Sequence, residues 1–159
     1  MSRIISMVLT LVFVSSSAWA SSPDTAGMKR VFDKMQKALE SKSEKLFKAQ
    51  WHAVGYRENL VGGSGLAGYK VFKQGSRKGW YLKPDMSKLR SIPGQRGAPW
   101  IIPSKIWSPK KKRAVDAIFA MLIYHKKKWV MLGGGEKLKE VEALGQRYVS
   151  KKPLPPKKK

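Results

Sequence analysis

Between Ala114 and Tyr124 nearly every residue is apolar: Ile118 and Phe119 are followed, after Ala120, by Met121, Leu122, Ile123 and Tyr124. A strand with one wet face alternates apolar and polar side chains, so a run this continuous needs cover on both faces. Lys128 to Gly133 supplies the antiparallel partner, joined through His125-Lys126-Lys127. The ribbon is therefore expected at the centre of a sheet, and Gly133-Gly134-Gly135 is read as its end.

The cover is expected from helices on either side of it in the chain. Asp24 or Thr25 is placed to cap a helix in which Met28, Val31, Phe32, Met35, Ala38 and Leu39 recur at three- and four-residue spacing, with Lys29, Arg30, Asp33, Lys34 and Lys37 opposite. Ser41 or Ser43 restarts a second short helix through Leu46, Phe47 and Trp51, which the chain leaves in a turn at Tyr56 to Asn59. After Gly62-Gly63-Ser64-Gly65, a third helical face carries Leu66, Tyr69 and Phe72, with Ser64 as its N-cap. Trp80-Tyr81-Leu82 and Lys88 to Ile92 read as short strands punctuated by Pro84, Pro93 and Pro99. Trp100-Ile101-Ile102 and Lys105-Ile106-Trp107 read as two extended pieces flanking Pro103. Glu136 to Val149 closes the domain as a helix with Leu138, Val141, Ala143, Leu144 and Tyr148 on one side. These elements make residues 21–150 a single α+β domain with a mainly antiparallel sheet.

This order of elements, with a leading amphipathic helix, a short helix ending in Trp51, a helical piece after Gly62-Gly63 and then the long ribbon from Ala114 to Gly133, resembles the NTF2-like (SnoaL-like) superfamily over roughly residues 27 to 135. The resemblance implies helices packed on a strongly curved sheet around a conical pocket. The helix at 136–149 would be an addition to that core. Isomerases, dehydratases and non-catalytic binding modules share the fold, so it implies no particular activity.

The N-terminal twenty residues read as a secretory leader. Arg3 precedes an apolar run from Ile4 to Val14, and Ala18-Trp19-Ala20 offers small residues for cleavage before Ser21. The run is short of the roughly 20 residues that span a bilayer. The expected location is periplasmic or extracellular. Residues 151–159, Lys-Lys-Pro-Leu-Pro-Pro-Lys-Lys-Lys, read as an extended, solvated tail.

Lysine and arginine number 33 against 10 acidic residues, a net charge of +23, which becomes +22 when Arg3 leaves with the leader. Such a field attracts anionic polymers or an anionic membrane surface in a salt-sensitive way. The carriers are Lys110, Lys111, Lys112 and Arg113, then Lys126, Lys127 and Lys128, and the terminal Lys157, Lys158 and Lys159. Lysine in these runs suits diffuse attraction to phosphate, lipopolysaccharide or acidic glycan better than bidentate base reading. Aromatic residues stand beside them only at Trp107 and Trp129.

Chemistry-bearing motifs are sparse. With no cysteine, thiolate metal sites, disulfides and cysteine nucleophiles are excluded. Gly63-Ser64-Gly65-Leu66-Ala67-Gly68 matches G-x-G-x-x-G and Asp85 lies downstream, but Tyr56 to Val61 is not the buried strand that a dinucleotide site requires, so no nucleotide cofactor is expected. His52 and His125 are the only imidazoles and no carboxylate is spaced to form a dyad with either, so neither a catalytic pair nor a metal site is assigned. Trp51, His52, Tyr56, Trp80 and Trp107 are the candidate lining of a conical pocket for a small apolar ligand. Two functions follow. The first is an exported, non-catalytic binding or envelope-associated protein with a basic surface; the alternative is an NTF2-like enzyme or small-ligand carrier. A homodimer through an exposed sheet face is a further arrangement.

Overall fold

The structure is a computed structural model and describes residues 23–74, 77–92 and 98–150. The leader expected at residues 1–20 and the tail lysines Lys157, Lys158 and Lys159 lie outside the described residues. The chain is α+β. Among the described residues four helices come first, α1 (Thr25–Glu40), α2 (Glu44–Lys48), α3 (Ala53–Arg57) and α4 (Gly65–Gln74). Five strands follow, β1 (Tyr81–Pro84), β2 (Arg90–Ser91), β3 (Trp100–Ser108), β4 (Arg113–His125) and β5 (Lys128–Gly135), and α5 (Leu138–Val149) ends the fold. The strands pair antiparallel in the order β1-β3-β4-β5, with β2 beside the far end of β3. The sheet is strongly curled into a half-barrel. Register shifts at Ile106/Trp107 and Met121/Leu122 mark two bulges, a device that sharpens local twist and bend.

The continuous apolar run has the cover it needs. On one face Ile102, Ala120, Leu122 and Met131 meet Met28, Val31, Phe32, Met35 and Ala38 of α1, together with Phe47, Tyr56 and Tyr69. On the other, Ile101, Met121, Ile123, Val130 and Leu132 meet Leu60, Ile92 and the α5 residues Val141 and Leu144. Side-chain alternation along β4 thus feeds two cores, each sealed by its own helices.

Capping follows short-range chemistry. Asp24 accepts the Gly27 N–H at 2.8 Å, Ser43 accepts the Leu46 N–H at 3.3 Å and Ser64 accepts the Ala67 N–H at 3.2 Å. Three local expectations are corrected. The second helix stops at Lys48, because the His52 N–H donates to the Met131 carbonyl and the Met131 N–H to the Gln50 carbonyl, each at 2.8 Å, capturing Trp51 as a parallel bridge on the outer edge of β5. Tyr56 then lies in α3 instead of a turn, its hydroxyl donating to Glu44 Oε1 at 2.8 Å. Pro103 does not divide β3. Its carbonyl accepts the Asp85 N–H at 2.8 Å on the side away from β4, so the missing N–H falls in the gap between β1 and β2 and leaves the β3–β4 ladder whole. Among the described residues no helix is long and apolar enough to cross a membrane.

Candidate functional site

A cavity of about 500 Å³ opens between the curled sheet and the helices α1, α2 and α4. The C-terminal half of α1 lines it with Phe32, Met35 and Leu39; Phe47 and Trp51 close one end, and Val71 and Phe72 of α4 form the wall opposite. Leu82, Ile106, Ile118 and Met131 rise from the sheet. Most of this surface is carbon. Charged side chains border it at the half-buried Arg77 and the exposed Glu136, Lys137 and Glu140, with Lys137 Nζ 3.2 Å from Glu140 Oε1.

Glycine makes the room. Gly133, Gly134 and Gly135 were expected to terminate the ribbon, yet they remain in β5, paired with Met121, Ala120 and Phe119, and they contribute bare backbone to the cavity. Across from them Gly62 has φ +66, and a Cβ there would stand 2.6 Å from the Gly134 carbonyl oxygen, so the α3–α4 connection lies backbone against backbone on the strand. Gly68 in α4 also faces the cavity, and a Cβ built on it meets nothing within 4 Å. The G-x-G-x-x-G stretch therefore acts as a thin wall. Its Gly63, Ser64, Ala67 and Gly68 border the space, while Asp85 is occupied by Ser87 and Lys88 after β1.

Of the expected lining residues, Trp51 stands in the cavity wall, with its ring under Gly65 and its Nε1 buried without a partner among the described residues. The other four stand elsewhere. His52 turns to His125, ring centroids 4.8 Å apart and edge to face; its Nδ1 is buried and unpartnered. Burial first, then the charges of His125 and Lys126, hold the His52 pKa below its ordinary value. Tyr56 fills the helix-side core, where burial first and the Glu44 carboxylate second push its hydroxyl pKa up. Trp80 lies under the Arg77 guanidinium at 5.4 Å and Trp107 under the Lys83 ammonium at 4.8 Å.

The two basic runs do not form one surface. Lys110, Lys111, Lys112 and Arg113 turn from β3 into β4, whereas Lys126, Lys127 and Lys128 turn from β4 into β5. The strand between them holds them roughly 40 Å apart along its length. Sequence reasoning missed most of the lining: nothing local marks Phe32, Met35, Leu82, Ile106 or Ile118 as bordering a void, and the glycines, as absent side chains, leave no periodic signal. Comparison with protein-family models, curated proteins and solved structures finds no match to this chain.

Proposed function

We propose that this protein is a carrier or receptor for a small, largely apolar ligand held between its first helices and the hollow of its sheet. The observation that carries the reading is the cavity itself. Its volume of about 500 Å³ lies inside the span of roughly 300–1,000 Å³ usual for ligand sites, and its lining is mostly apolar with a few polar and charged groups. At liquid-like packing of about 30 Å³ per heavy atom, it suits a molecule of roughly 15–20 such atoms. Ligands of that size reach dissociation constants of roughly 1–100 µM when well fitted. Neither histidine borders the cavity, and the carboxylates that do, Glu136 and Glu140, are exposed, Glu140 being paired with Lys137, so binding is favoured over acid–base chemistry as its use. The NTF2-like relationship and export from the cytosol belong to the same proposal. A leading helix laid across a curled antiparallel sheet supports the first, and the composition of residues 1–20 supports the second.

Titration with an environment-sensitive apolar fluorophore, followed by displacement with a graded series of apolar compounds, tests the reading. It requires one saturable site per chain and an optimum ligand size. Non-saturating or size-independent uptake contradicts it.

A further inference from the structure

A second groove, of about 270 Å³ and polar in character, lies along the N-terminal half of α1. Arg30 and Lys34, one turn apart on α1, face Lys127 and Lys128 of the β4–β5 hairpin across it, and Tyr124 and Trp129 provide its aromatic surface. None of the four ion pairs among the described residues involves any of these cations. Tyr124 is 47% exposed and stands edge to face with Trp129, ring centroids 5.3 Å apart. Asp24 fastens the two sides together, since its carboxylate accepts the Gly27 N–H at 2.8 Å at the start of α1 and the Trp129 indole N–H at 3.1 Å. Lys128 Nζ donates to the Ala49 carbonyl at 3.1 Å, which anchors the hairpin strand beside α2.

The hairpin turn itself is unusual. Lys126 and Lys127 occupy its two central positions with φ of +47° and +64°, a conformation that Asn-Gly adopts without strain and a lysine does not. Backbone preference and mutual repulsion both disfavour two lysines here; Lys42 and Lys112 take the same left-handed backbone elsewhere, and of the turn pair Lys127 borders the groove.

We infer that this groove docks an anionic polysaccharide. A chain of acidic sugars offers repeated carboxylate or sulfate charge for the four cations and apolar ring faces for Tyr124. Single-stranded nucleic acid asks for a row of open rings on which successive bases stack, whereas the groove exposes one, Tyr124, with Trp129 half-buried against it. A membrane surface asks for an apolar insertion element, and the groove exposes one tyrosine. The site is separate from the cavity, so its test stands whatever the cavity binds.

The experiment measures binding of polygalacturonate and heparin by the full chain over a series of salt concentrations, with an oligothymidylate and phosphatidylglycerol vesicles as rival probes. Removing two groove cations in Arg30→Ser/Lys34→Ser should weaken polysaccharide binding at least about tenfold and make its salt dependence shallower by roughly one logarithmic unit per cation. Tyr124→Ser should weaken binding about tenfold with the salt dependence unchanged. The control Lys70→Ser/Lys139→Ser removes equal charge from exposed positions on α4 and α5 that do not border the groove and should stay within about twofold of the parent. The inference is overturned by a control that loses as much as the groove variant, by an inert Tyr124→Ser, by tighter binding of oligothymidylate or vesicles, or by no polysaccharide binding at all. Thermal melting of each variant separates lost binding from lost folding.

Discussion

Asp24 and Trp129, far apart in sequence, meet through a 3.1 Å hydrogen bond from the indole Nε1 to Oδ2, while the other carboxylate oxygen caps α1. One side chain thereby sets the start of the long helix and its angle to the β4–β5 hairpin. Asp24→Ala should lower stability by about 1–2 kcal/mol through the two lost bonds. Asp24→Asn, which can keep its carbonyl oxygen on the cap, should lose less. Urea unfolding of the two variants measures the difference; equal losses would mean that the cap contributes nothing beyond the indole bond.

His52 gives the fold a pH dependence with a defined sign. His52 is held below its ordinary value of 6.5 in the folded chain, by burial above all, so the unfolded chain takes up the proton first as the pH falls. The stability tied to neutral His52 is complete above about 6.5 and is lost as the pH drops from there through the folded value. The urea midpoint should fall across that window in the parent and fall less in His52→Phe. The same slope in both would remove His52 as the cause.

Tyr56 joins α3 to α2 through its 2.8 Å hydrogen bond to Glu44 while its ring lies in the helix-side core. Tyr56→Phe keeps the ring and deletes the donor, so it should reduce stability by about 1–2 kcal/mol with little change in circular dichroism. A loss near zero would show that water replaces the bond fully.

Replacing the strained turn by Lys126→Asn/Lys127→Gly should raise stability by about 1–2 kcal/mol, because both central positions then accept the left-handed backbone. Differential scanning calorimetry reads the shift. A destabilised variant would show that the lysine side chains hold the hairpin in place.

Much of the architecture was written in apolar spacing. The face of α1 from Met28 to Leu39, the unbroken run in β4 and the stripe of α5 from Leu138 to Tyr148 are legible because helix and strand periods differ and each run is long enough to display its own. What escaped was set by partners distant in sequence. Trp51 leaves its helix because Met131 claims the backbone on either side of it, and Pro103 is tolerated because β1 and β2 leave a gap at that point. The cavity was expected among rings, yet its extent owes as much to Gly68 and the Gly133–Gly135 strand end, whose emptiness no local pattern records. The groove needed the N-terminal helix and the hairpin brought side by side; the sequence alone places Arg30 and Lys34 nearly a hundred residues from Trp129.

The most direct test of the binding reading is Gly68→Leu. The site lies inside α4, where leucine is favoured over glycine by about 1 kcal/mol, and the new side chain enters empty space in the cavity. The account expects a variant with a higher melting temperature whose affinity for the apolar fluorophore has fallen at least about tenfold. Unchanged affinity in a folded Gly68→Leu protein would contradict it, because the ligand would then have to bind somewhere other than the hollow of the sheet.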